Sequence, residues 1–140
     1  MANEARITSS LQILEGKVDY RTTPTSFLAD VAVGTRGPTP GLLLATLAGT
    51  DVDLSLLTIP GLCRIMNLDG TNFVEVGIWD GVSFFPMLDF LPGESFVIRL
   101  SADLGDEFGT GTGTTAADVN NLRIKADTAD CDVIVEAFER

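Results

Sequence analysis

Carboxylates are the side chains of this chain that could do acid–base chemistry, because the sequence contains no histidine. Without histidine, Ser-His-Asp and Cys-His catalysis are excluded, as is the histidine-rich metal site of an enzymatic cupin. Pairs of carboxylates can cleave glycosides, and the nearest candidates here are Glu75, Asp80, Asp89 and Glu94. Asp80 stands in a turn and Glu75 falls on a solvent-facing register, so local structure accounts for both. We therefore expect no enzymatic activity and no catalytic residues.

Two acidic clusters could supply the oxygen ligands that calcium prefers. The first contains Asp103, Asp106 and Glu107, and the second contains Asp127, Asp130 and Asp132. Neither cluster has the spacing of an EF-hand loop, and acidic loops on an acidic protein are usually solvated. We expect no cofactor and no structural metal, with calcium as the alternative.

The two cysteines, Cys63 and Cys131, both lie in strand-like apolar runs. This setting favours two buried free thiols. A disulfide between them is the alternative, and it requires that their strands are neighbours in the fold.

Aromatic residues are concentrated between Trp79 and Phe90. Trp79, Phe84, Phe85 and Phe90 could form a platform on which sugars stack, or they could fill the core and a seam between subunits. The strand registers of these residues favour core and seam, and we expect Trp79 to contribute to the same interface.

The elements that must position these residues are strands, because apolar and polar residues alternate with period two along most of the chain. Asp69-Gly70, Asp80-Gly81 and Pro92-Gly93 punctuate the alternation as turn dipeptides. The pattern predicts an all-β fold, an antiparallel β-sandwich or barrel, with long loops at 34–41 and 103–118. It also predicts one domain over residues 1–140, with residues 1–12 as an N-terminal arm or edge strand.

Charge and hydropathy restrict the possible partners. The formal net charge is −11, with nine basic and twenty acidic residues, so a direct nucleic-acid contact is not expected. The longest apolar stretch, residues 42–48, is too short to span a bilayer, and the N-terminus lacks the pattern of a signal peptide. We expect a protein made in the cytoplasm, with no membrane partner.

The second half of the chain contains the series Asn67-Leu68-Asp69, Asn72 to Gly77, Phe84, Pro86-Met87, Leu91 to Glu94 and Arg99-Leu100, and it closes with an apolar strand from Cys131 to Phe138. In this series the chain resembles the small virion proteins of tailed bacteriophages, which implies a compact, jelly-roll-like β-sandwich. Within this class the chain is most similar to capsid decoration, or cement, proteins.

The resemblance implies a structural protein on the capsid exterior that binds the major capsid protein, bridges capsomers and self-associates as a homotrimer. We expect the trimer seam near Phe84, Phe85 and Phe90, and we expect the N-terminal arm, including Arg6 and Ile7, to contact the shell. A strand-forming arm of this kind can add to the sheet edge of a neighbour. The alternatives are a tail or head-tail connector component of the virion, and a carbohydrate-binding β-sandwich module that uses Trp79.

Overall fold

The computed structural model describes residues 3–15, 18–31, 37–101 and 121–139. These residues form antiparallel strands throughout, and no helix among them is long and apolar enough to cross a membrane. The strands are β1 (Asn3–Ser9), β2 (Gln12–Glu15), β3 (Val18–Arg21), β4 (Thr25–Val31), β5 (Thr39–Ala45), β6 (Thr50–Asp51), β7 (Pro60–Asn67), β8 (Val74–Trp79), β9 (Phe84–Phe90), β10 (Ser95–Arg99), β11 (Asn121–Ala126) and β12 (Cys131–Glu139).

The chain divides into two compact units, residues 1–33 and residues 34–140. In the first unit β1 pairs with β4 and β2 pairs with β3, so that the two ladders follow one another along a single hairpin. Between the ladders, the backbone N–H of Thr22 donates to the carbonyl of Leu11. The single domain predicted over residues 1–140 stays a prediction, and the first residues of the predicted arm form β1.

The second unit contains two four-stranded sheets. The first sheet has the order β10-β7-β12-β5 and the second sheet has the order β6-β11-β8-β9. The partners nest along the sequence: β5 pairs with β12, β6 with β11, β7 with β10 and β8 with β9. The sheets share one core, and the predicted antiparallel β-sandwich is therefore confirmed.

The alternation of residue types in the sequence explains this core. Along β12 the residues at 131, 133, 135 and 137 are buried, whereas the residues between them are exposed or half-buried. The same rule holds on β8, where Val74 and Val76 lie in the core and Glu75 between them does not. One face of each central strand thus packs against the other sheet, and the opposite face points to the solvent.

The turn predicted at Asp69 is built around a buried amide. The Asn67 side chain donates to the carbonyls of Asn72 at 2.8 Å and Phe90 at 3.1 Å, and it accepts from the backbone N–H of Asp69 at 3.0 Å. Asp69 in turn accepts from the backbone N–H groups of Thr71 and Asn72. The end of β7, the following turn and the end of β9 are therefore joined by one side chain.

A β-bulge interrupts the pairing of β8 with β9. Val76 is opposite Leu88 but Gly77 is opposite Pro86, which leaves Met87 as the extra residue. A β-carbon on Gly77 would collide with the backbone carbonyl of Phe85. Only glycine fits this close approach of the two strands.

Candidate functional site

The predicted seam residues on β9 lie in three different environments. Phe90 is fully buried in the core, so it has no surface with which to contact a second chain. Phe84 is half-buried opposite Trp79, and Phe85 is 53% exposed opposite Ile78. The structure therefore leaves Phe85 as the most accessible of the three phenylalanines.

Phe85 belongs to an apolar surface between the edge strands of the two sheets, β9 and β10. Phe96 on β10 is 52% exposed and makes an edge-to-face contact with the core residue Phe90, with ring centroids 5.3 Å apart. Met87 and Leu88 on β9 are also exposed. We call Phe85, Met87, Leu88 and Phe96 the β9/β10 apolar surface.

A groove with a volume of about 350 Å³ opens beside this surface. Its walls are largely apolar, and they include Ile78, Leu88, Ile98, Leu100 and Leu122. The walls come from both sheets, so the groove lies at an open side of the sandwich. An apolar side chain would fit it, and Arg99 is the charged residue that lines it.

Trp79 lies on the outer face of the second sheet and is covered on one ring face. The Arg123 guanidinium carbon lies 4.0 Å from the ring centroid, and the same guanidinium pairs with Asp51 at 2.5 Å. This cation–π contact holds the Trp79 ring in place. The arrangement reduces the ring surface that a sugar could stack on, because one of the two faces is occupied by Arg123.

Arg6 and Ile7 lie on β1 in the first unit. Arg6 is exposed and pairs in register with Leu28, while Ile7 is half-buried and pairs with Phe27. Further out on the hairpin, Leu14 and Tyr20 are 62% and 52% exposed. A two-stranded hairpin is marginally stable by itself in water.

The outer face of the first sheet has an apolar row that sequence reasoning did not select. Ile134 on β12 is flanked in register by Leu42 on β5 and Met66 on β7. Leu42 is 66% exposed, and Leu44 beside it on β5 is 50% exposed. The signal in the sequence was the absence of charge from residues 38–50, which becomes meaningful once β5 is known to be an edge strand.

The carboxylates in turns have structural partners. Asp80 accepts from the backbone N–H groups of Ser83 at 2.6 Å and Val82 at 2.8 Å, and these bonds hold its pKa below the usual range. Backbone N–H groups of Asn72 and Thr71 lower the pKa of Asp69 in the same way. Glu75 lies 3.9 Å from the Lys125 ammonium on the outer face of the second sheet.

In the described ranges, no group of three or more cysteine, aspartate or glutamate side chains is placed to hold a metal ion. Asp130 of the second acidic cluster accepts a hydrogen bond from the backbone N–H of Leu47. The first cluster, Asp103, Asp106 and Glu107, lies outside the described residues.

Both cysteines are buried free thiols. Cys63 on β7 pairs in register with Ala137, whereas Cys131 at the other end of β12 pairs with Ala45. Burial, and secondarily the charge of Glu136, raises the pKa of Cys63 to about 12. The thiol is therefore protonated and unreactive at neutral pH.

No protein-family model, curated protein or solved structure matches this chain.

Proposed function

We propose that this chain is a structural virion protein of a tailed bacteriophage, which decorates the capsid exterior and stabilises it by bridging capsomers. In this proposal its partner is the major capsid protein, and it acts as a homotrimer. The proposal begins from the resemblance of the strand-and-turn series to small virion proteins. The structure adds support through its strand order and through its exposed apolar surfaces.

The nested strand order is the observation that carries the proposal. Eight strands form two four-stranded antiparallel sheets, and each outer strand pair encloses the next along the sequence. We infer that the second unit is a jelly roll, a double-sheet fold found in viral capsid proteins, lectins and cupins. The lack of histidine removes the enzymatic cupin from this set, and the Arg123 cover on Trp79 gives the lectin little support.

The trimer seam is proposed at the β9/β10 apolar surface. Phe85 and Phe96 each leave about half of their side chain in solvent, and Met87 and Leu88 of the same surface line an apolar groove. In a ring of identical subunits a surface of this kind meets a different surface of the next copy and is used at every interface. This surface supports the predicted participation of Phe85 in the seam and adds Phe96 and Met87 to it.

Shell binding tests the proposed function directly. Shells are prepared from the phage whose genome encodes the chain, after deletion of its gene, and are mixed with the purified full-length protein. We expect the protein to sediment with the shells at saturating stoichiometry and to raise the temperature at which they break. A protein that stays in the supernatant at every concentration would overturn the proposal.

Two single substitutions test the proposed role of the hairpin in shell binding. Thr8→Glu adds a negative charge on β1 beside Ile7, and Ser95→Glu adds the same charge on β10 in the second unit; both positions are exposed. Thr8→Glu should weaken shell binding at least tenfold, whereas Ser95→Glu should change it by less than twofold. Equal effects would contradict the assignment of the shell contact to the hairpin.

A further inference from the structure

β5 is an edge strand that carries no charge. Within the described ranges it pairs with β12 on one side only, and its sequence, residues 39–45, contains no acidic or basic residue. The other three edges of the sandwich have features that discourage pairing. β9 contains Pro86 and the bulge, β10 ends in the exposed Arg99, and β6 has two residues.

The open backbone groups of β5 can be located from its hydrogen bonds. The carbonyl of Leu44 accepts from the Thr50 hydroxyl at 2.8 Å, so this carbonyl points away from β12. Backbone groups alternate in direction along a strand, and those of Leu42 therefore point to the same open side. Pro40, the next residue with this orientation, has no N–H, which confines the open edge to residues 42–44.

We propose that β5 pairs antiparallel with β5 of a second copy of this chain around a two-fold axis, which joins the two first sheets into one. A two-fold contact uses the same patch on both copies, so the patch must tolerate itself. β5 meets this condition because neutral residues face neutral residues. In the register that places Leu42 opposite Leu42, the two Leu42 side chains, each 66% exposed in the single chain, would pack together on the outer face. Leu44, which is 50% exposed, would lie opposite Pro40 of the second copy.

The absence of charge on β5 makes this edge the place where two copies of the chain can meet. Residues 34–140 hold sixteen acidic and six basic residues, so two copies repel one another over most of their surface. A basic partner would instead be attracted to the acidic regions, and the neutral edge offers it nothing. The edge is thus the region where two like-charged chains can approach most closely.

The nearest acidic groups on the outer face do not oppose the pairing. Asp132 is opposite Leu44 on β12, and Glu136 pairs with Arg64 at 2.6 Å. In the joined sheet the two β12 strands, which carry Asp132, are separated by three strand spacings, about 14 Å. This separation exceeds the screening length of about 8 Å at physiological ionic strength, so their repulsion is weak.

This contact goes beyond the proposed decoration of a capsid and does not depend on it. It joins chains in pairs, whether or not three chains also meet at the β9/β10 apolar surface. Its tests use the purified full-length protein alone, so that their failure is separate from a failure of shell binding.

Disulfide trapping reports the contact by position. Leu42→Cys places a thiol at the centre of the open edge, and Val97→Cys places one on β10, at the opposite edge of the same sheet. Two-fold pairing at β5 brings the Leu42 positions of two copies to about 5.5 Å between α-carbons, within the range for a disulfide. Under mild oxidation Leu42→Cys should form covalent dimers in high yield and Val97→Cys should not. Equal yields for the two variants, or no dimer with Leu42→Cys, would overturn the proposal.

A charge on the edge should break the same contact. Sedimentation equilibrium of Leu42→Lys should give half the mass of the parent protein, because lysine on an edge strand prevents strand addition. Val97→Lys is the matched control and should keep the parent mass, with thermal melting as the check that both variants are folded. If Leu42→Lys has the same mass in solution as the parent protein, the pairing is refuted, since the Leu42 side chain is exposed and its replacement leaves the core intact.

Discussion

Replacement of Asn67 by alanine should destabilise the second unit strongly, because this buried amide holds three backbone groups. Its side chain donates to the carbonyls of Asn72 and Phe90 and accepts from the N–H of Asp69. A hydrogen bond contributes about 1 kcal/mol net, and a buried group left without a partner costs about 1 to 3 kcal/mol. With three bonds lost and the Phe90 carbonyl buried, we expect a loss of about 3 to 4 kcal/mol.

Chemical denaturation followed by tryptophan fluorescence measures this loss, since the chain has one tryptophan, Trp79 on β8. The matched control is Thr71→Ala in the same turn, an exposed position where we expect a change within about 0.5 kcal/mol. Asn67→Ala should lower the denaturation midpoint without changing the slope. A loss of less than about 1 kcal/mol for Asn67→Ala would refute the reasoning that this amide joins β7 to the end of β9.

Four further substitutions test the core, the bulge and the acid dependence. Val76→Ala should lower the free energy of unfolding by about 2 kcal/mol through lost burial, because Val76 is 1% exposed. Ile98 is half-buried beside the groove, so Ile98→Ala should lower it by less than the same change at a fully buried isoleucine. Equal melting of both variants and the parent would contradict the assigned register. Gly77→Ala should lower the melting temperature because the added β-carbon meets the Phe85 carbonyl, and an unchanged melting temperature would show that the strands can separate there at no cost. Asp80 has a lowered pKa in the folded state, so its contribution to stability is present above the ordinary aspartate pKa and is lost as pH falls through the folded pKa. The melting temperature of Asp80→Asn should therefore depend less on pH below about 4 than the melting temperature of the parent. Identical pH profiles for the two proteins would contradict this role of Asp80.

The sequence predicts which residues share a face of a strand, but not which strands become neighbours. Alternation identified Val74 and Val76 as one face and Glu75 as the other, and the turns at Asp69 and Asp80 followed from local hydrogen bonding. These features depend on residues a few positions apart. They could be predicted because a turn and its flanking alternation act locally.

The features that the sequence did not predict depend on long-range strand pairing or on an irregularity within a strand. The bulge at Met87 shifts the register of β9, so that Phe85 and Leu88 share the face that simple alternation assigns to only one of them. Phe90 was predicted at a seam and lies in the core, because the order of the strands places it against Val74. Leu42 was not selected as a site residue, since an uncharged strand is notable only when it forms the edge of a sheet.

Copy number in the virion tests the central claim most directly. Quantitative mass spectrometry of purified particles gives the molar ratio of this chain to the major capsid protein. A decoration protein that bridges capsomers over the whole shell should be present at a ratio of the same order as the capsid protein. A ratio corresponding to a few copies per particle, or the absence of the chain from intact particles, would contradict capsid decoration.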